Sequence, residues 1–184
     1  MSTVTSEHLS VELRSDYLQG VSAPGAALAV EAHIAFCEQC RRAADWTERQ
    51  DQALGRLHHL EKRPTAGLPA PLGHVATGRW RRVAEGVRRA PLPSVSGLGE
   101  SVHLLKAAPD APLMLPAATH LLVVLQGAIR TAATIYSPGD LIETAGIRLR
   151  EARAHSASSC VCLVVGDDDV YEELLVDRPE RLRA

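Results

Sequence analysis

The stretch "LVVLQGAIRTAATIYSPGDLI", residues 122–142, decides the fold of the larger part of the chain. Leu122–Gln126 is an apolar run too short for a helix and rich in β-branched residues, so it reads as a strand. Gly127 supplies the turn, and a second strand lies between it and Pro138. Pro138-Gly139-Asp140 is a turn by composition, because proline presets one φ and glycine supplies the left-handed one. A third strand begins at Leu141.

Working outward, the same grammar repeats. "WRRVAEGVRRAPL" (80–92), "SVHLLKA" (101–107) and "CVCLVV" (160–165) are short apolar or alternating runs separated by Gly and Pro. Their spacing is near ten residues, which suits an all-β barrel or sandwich. Of the 11 prolines only Pro24 lies before residue 63, so long helices are confined to the N-terminal third.

Residues 7–62 read as helical. Ser6 is expected to cap a first helix through Leu18, closed by Gly20. Pro24 suits the first turn of a second helix over about Gly25–Phe36. A third is expected from about Cys40 to Leu60. Residues 63–78, "RPTAGLPAPLGHVATG", read as a linker with room for a short helix.

Composition narrows the function. Hydrophobic residues make up 46%, enough for a globular core, and aromatics only 3%, which leaves that core to aliphatic side chains. A net charge of -2 argues against binding nucleic acid by phosphate neutralisation. No apolar run approaches the roughly 20 residues of a membrane span, and no basic segment leads into an apolar one at the start. The expectation is a cytoplasmic protein without a direct nucleic-acid or membrane partner. In a reducing compartment its 4 cysteines are metal ligands, redox groups or core fillers before they are disulfides.

Two of the four fall in "HIAFCEQC", residues 33–40. His33, Cys37 and Cys40 stand at i, i+4 and i+7, one face of a helix. They read either as three legs of a tetrahedral zinc site or as a histidine beside ordinary thiols, and Cys37 with Cys40 alone reads as a redox dithiol. His8, on the expected first helix, becomes a fourth ligand if helices one and two form a hairpin. Two thiolates would neutralise Zn²⁺, and roughly 10–16 kcal/mol of apparent zinc affinity can couple to folding in such small units.

The pattern His8, His33, Cys37, Cys40 on short helices resembles zinc-binding anti-sigma domains. A linker and a β-barrel after it give the layout of the ChrR-type cupin anti-sigma factors. Trp80, Gly86-Val87, Leu125-Gln126-Gly127, Tyr136 to Asp140 and Cys160-Val-Cys162-Leu163 carry the cupin part of the resemblance. It implies an α+β two-domain protein. A small zinc-stabilised helical bundle (1–62) and a linker (63–78) precede an all-β cupin, or jelly-roll, barrel (79–178) and a tail (179–184). It implies one zinc held by His8, His33, Cys37 and Cys40. It also implies an extracytoplasmic-function sigma factor as partner, bound by the helical domain and released in a transcriptional stress response. No catalytic residue is implied. The alternative is a cupin metalloenzyme or small-molecule binder with a helical zinc appendage.

The barrel departs from the family's metal-binding members. Their three histidine positions fall here on Met114, Pro116 and Arg150, and their glutamate position on His120. One imidazole does not hold a metal that needs three or four ligands, so the barrel metal is expected to be absent. A shifted set of His103, His120 and His155 is the remaining option for a barrel metal. Cys160 and Cys162 share one strand face and read as buried fillers before a redox pair. His58 and His59 read as helix-end residues. The arginines at 79, 81, 82, 88 and 89 read as solvated strand faces. Leu9, Leu13, Leu18, Val30 and Ile34 are candidates for core or sigma interface.

Overall fold

A computed structural model describes residues 8–42, 72–97, 99–113, 115, 119–144 and 152–167. Its helices are α1 (Val11–Gln19), α2 (Pro24–Phe36) and α3 (Glu38–Arg42). The strands are β1 (Arg81–Ala84), β2 (Val87–Pro91), β3 (Ser101–Ala107), β4 (Thr119–Gln126) and β5 (Ile129–Arg130). They continue with β6 (Ile135–Tyr136), β7 (Leu141–Glu143), β8 (Arg153–Ala154) and β9 (Cys160–Gly166).

Each helix boundary has a local cause. Ser10, not Ser6, caps α1: its Oγ accepts the Leu13 N–H at 3.2 Å. Ser6 lies outside the described residues. Helix α1 therefore starts later than the sequence suggests, and His8 precedes it rather than riding on it. Gly20 ends α1 in the left-handed region at φ 71, and its N–H bonds back to Tyr17 O. Pro24 opens α2, as its fixed φ predicts. Helix α3 starts at Glu38, ahead of Cys40, and the rest of the expected third helix lies outside the described residues, with His58 and His59.

The β part is two sheets. A six-stranded sheet runs β1-β2-β3-β9-β4-β7, and a three-stranded one runs β6-β5-β8. All neighbouring strands pair antiparallel. β9 sits between β3 and β4, so the last described strand closes the middle of the large sheet. Turns fall at Gly127 and Gly139, as the sequence suggests, and also at Gly86; their φ values are 74, 97 and 68. β8 lies in "EARAH", a stretch with no apolar run to announce it.

Alternation along the strands sorts the core into two layers. One lies between the sheets and holds Val87, Leu105, Leu122, Val124, Ile129, Ile142, Cys160, Cys162 and Val164. The other lies on the outer face of the large sheet. There Val102, Leu104, Leu121, Val123, Leu163 and Val165 pack against Leu28, Ala29 and Ala32 of α2. Leu72 and Val75, inside the expected linker, are buried in this second layer beside a 3₁₀ turn at Leu72–His74. The opposite side of α2 buries Val30 and Ile34 with Tyr17 and Cys40 in a small third core. Helix α2 is thus enclosed, with barrel on one side and α1 and α3 on the other.

Candidate metal centre

Three short segments bring the four ligand candidates together. The bend before α1 carries His8, the last turn of α2 carries His33 and ends at Cys37, and α3 carries Cys40. One ligand atom from each of His8, His33, Cys37 and Cys40 lies within 4.8 Å of all the others. His8 Nδ1 is 3.4 Å from Cys37 Sγ and 3.5 Å from Cys40 Sγ. Among the described residues no other group of His, Cys, Asp or Glu converges in this way.

The surroundings fit a metal. His33 is fully buried, and its Nδ1 lies 2.7 Å from Gly139 O. A carbonyl can only accept, so Nδ1 carries the proton and Nε2 keeps its lone pair. That Nε2 is buried and has no hydrogen-bond partner among the described residues. A buried polar atom without a partner is costly, and a cation beside it removes the cost. The Cys40 N–H points at Cys37 Sγ at 3.4 Å, a contact that steadies a thiolate.

Protonation leans the same way at histidine and against it at cysteine. Burial lowers the pKa of His33, opposed by the bond to Gly139, so the ring is neutral and able to ligate. Burial raises Cys40, opposed by the Leu9 amide. Without a cation Cys40 stays a thiol, and a divalent metal would displace its proton. His8, His33, Cys37 and Cys40 are a two-nitrogen, two-sulfur donor set, the chemistry of a closed structural site. The N-terminal cluster therefore has the geometry and donor types that suggest a metal site.

The other sequence candidates do not assemble. His120 is exposed, with Nε2 2.7 Å from Asp167 Oδ1. His155 is also exposed, whereas His103 is buried between the sheets. These three form no cluster. Met114, Pro116 and Arg150 lie outside the described residues. Cys160 and Cys162 are buried at 0% and 1% exposure with sulfurs 3.5 Å apart, and the hydrogen bond with Cys160, together with burial, raises the pKa of the Cys162 thiol and keeps it protonated. Arg79, Arg81, Arg82 and Arg88 are exposed as expected, but Arg89 is not: strand alternation turns it inward, and it is buried. Leu9, Leu13 and Leu18 pack partly and Val30 and Ile34 fully into the core. The exposed apolar side chains near the helices are instead Val11, Val21 and Phe36.

Sequence reasoning missed the partners that the barrel supplies. Glu100 Oε2 accepts the Gly25 N–H at 2.8 Å, and Glu143 Oε1 accepts the Ser10 N–H at 3.2 Å. No motif marks either carboxylate, because each acts on chain 75 and 133 residues away.

No family model matches the chain. It is 27% identical over 194 residues to the anti-sigma-E factor ChrR of Cereibacter sphaeroides, covering 87% of this chain and 89% of that protein. The crystal structure of Rhodobacter sphaeroides SigE in complex with the anti-sigma ChrR superposes with a TM-score of 0.67 at 25% identity. The match covers 89% of this chain and 100% of the other. No described helix is long and apolar enough to cross a membrane. Over most of its length the chain is thus similar to the anti-sigma factor ChrR, and its own short N-terminal helices with a His/His/Cys/Cys cluster precede a cupin-like β-sheet domain.

Proposed function

We propose that this chain is a zinc-dependent anti-sigma factor that binds and inhibits an extracytoplasmic-function sigma factor. The observation that carries the reading is the likeness of both halves of the chain to the ChrR found with SigE. The function is one of binding and release, not of catalysis. Zinc is the metal of choice because thiolate and imidazole donors in equal number suit a tetrahedral, redox-inert ion. His8, His33, Cys37 and Cys40 hold one ion, which ties the bend before α1 to the ends of α2 and α3. The division into a sigma-binding part (1–62) and a cupin (79–178) follows this reading, as does action in the cytoplasm, where sigma factors meet RNA polymerase.

The test is metal content and binding together. The full chain is purified alone and with a candidate sigma factor encoded beside it. One zinc per chain is expected, lost in the Cys37→Ala, Cys40→Ala double variant together with sigma binding. A zinc-free wild type that still binds sigma would sink the zinc requirement. A zinc-loaded chain that binds no sigma factor would sink the anti-sigma reading.

A further inference from the structure

Two of the ligand-bearing segments are held by one short piece of the barrel. Gly139 O accepts from His33 Nδ1 at 2.7 Å, and Glu143 Oε1 accepts the Ser10 N–H at 3.2 Å, two residues beyond His8. Gly139 lies in the turn between β6 and β7, and Glu143 is the last residue of β7. The turn is itself fixed to the large sheet. Gly139 N–H bonds to Val124 O at 2.8 Å, and Val124 N–H to Asp140 O at 3.1 Å. The Asp140 carboxylate accepts the Ser137 N–H at 2.6 Å and closes the loop. The position of the Gly139 carbonyl is therefore set by β4.

The approach of this turn to α2 requires glycine. Gly139 has φ +97, which L side chains rarely adopt, and a Cβ there would lie 2.5 Å from Phe36 Cβ. Phe36 is the residue before Cys37. Backbone contact with the last turn of α2 thus comes at a cost in local conformation, and the contact delivers an acceptor to the ring of His33.

Resting on the reading of the cluster as a metal site, we propose that the Gly139–Glu143 segment of the barrel is an outer part of that metal centre. It positions His33 and the His8 segment, so metal occupancy and the order of this barrel segment are linked. A ligating histidine whose second nitrogen bonds to a carbonyl is fixed in tautomer and ring orientation, and losing such a partner typically lowers metal affinity about 10–100-fold. Linkage is reciprocal: what the barrel segment adds to metal affinity, the metal adds to the stability of the segment. This gives the cupin a route to the N-terminal cluster that needs no metal of its own. An event that shifts the β6–β7 turn withdraws the acceptor from His33.

The experiment uses the full chain, with zinc affinity measured by competition against a chromogenic chelator. Gly139→Ala is expected to bind zinc about 10–100-fold more weakly while still reaching one zinc per chain at saturation. Its cobalt-substituted form is expected to show a shifted ligand-field spectrum. A second measurement needs no variant. Removal of zinc from the wild type is expected to speed amide hydrogen exchange across residues 139–143 and leave the β3–β9 pairing protected. Wild-type zinc affinity in Gly139→Ala, or exchange at 139–143 indifferent to zinc, overturns the proposal. Zinc retained in the Cys37→Ala, Cys40→Ala double variant overturns the metal reading beneath it instead.

Discussion

The Glu100 carboxylate, just ahead of β3, caps helix α2, its Oε2 accepting the Gly25 N–H at 2.8 Å. Ala23, the N-cap residue of α2, has no side chain that could do so. First-turn amides need partners, and loss of a cap costs about 1 kcal/mol. Glu100→Ala is expected to destabilise the chain by that amount in chemical unfolding. Glu100 also carries a pH signature. Burial raises its pKa above 4.5, opposed by the Gly25 and Ala26 amides. The native chain then holds this proton more tightly than the unfolded one. The stabilisation is fully present below 4.5 and lost as the pH rises through the folded value. Wild type should lose stability relative to Glu100→Gln as the pH rises from 4.5, since glutamine keeps an acceptor and does not titrate.

His103 and Arg89 give a slope of the opposite sign. Both project into the space between the sheets, two residues along from Leu105 and Val87 of that core. Burial, aided by the Arg89 charge, lowers the pKa of His103 from 6.5 to about 4. The unfolded chain therefore binds a proton that the native chain refuses, and stability falls as the pH drops from 6.5 towards 4. The loss expected by pH 4 is about 3 kcal/mol, flattened in His103→Gln. Denaturant midpoints at pH 7, 6, 5 and 4 for the two proteins check this.

Thiol chemistry should divide the four cysteines into two pairs. Cys160 and Cys162 lie in the layer between the sheets, whereas Cys37 is partly exposed at the end of α2. After zinc removal, a bulky thiol reagent is expected to label Cys37 first. Cys160 and Cys162 should react only at the rate of global unfolding. Rapid labelling of either, read by peptide mass, would show that the barrel opens locally and revive the redox-pair reading.

The sequence makes the strands and turns legible because their signals are local. Ser101–Ala107 and the glycines at 127 and 139 appear where alternation and turn chemistry put them. His33, Cys37 and Cys40 are legible as neighbours because they stand close in sequence, although they do not share one helix face: α2 breaks at the extended Cys37 and Cys40 lies on α3. His8 was found through the family resemblance and an expected hairpin, although it precedes α1. What stayed hidden is long-range. The inward face of Arg89 depends on strand register, and the Gly139 carbonyl and the Glu100 cap depend on how the barrel meets α2. Backbone acceptors leave no mark in a sequence, because every residue has one.

The sigma-facing surface is the last consequence. Of the apolar residues that the sequence offers for it, Val30 and Ile34 are enclosed, and Leu9, Leu13 and Leu18 are partly buried against the cores. Val11 and Val21 instead stand 67% exposed, at the start of α1 and just past its glycine cap. Apolar side chains that the fold leaves in water are the ones an interface can bury. The Val11→Asp, Val21→Asp double variant is therefore expected to weaken sigma binding at least about tenfold, or roughly 1.4 kcal/mol. It should keep one zinc per chain and the wild-type unfolding midpoint, because neither side chain belongs to a core. Titration calorimetry against the sigma factor, with metal content and melting measured on the same samples, separates the two roles. Undiminished binding would move the interface away from α1.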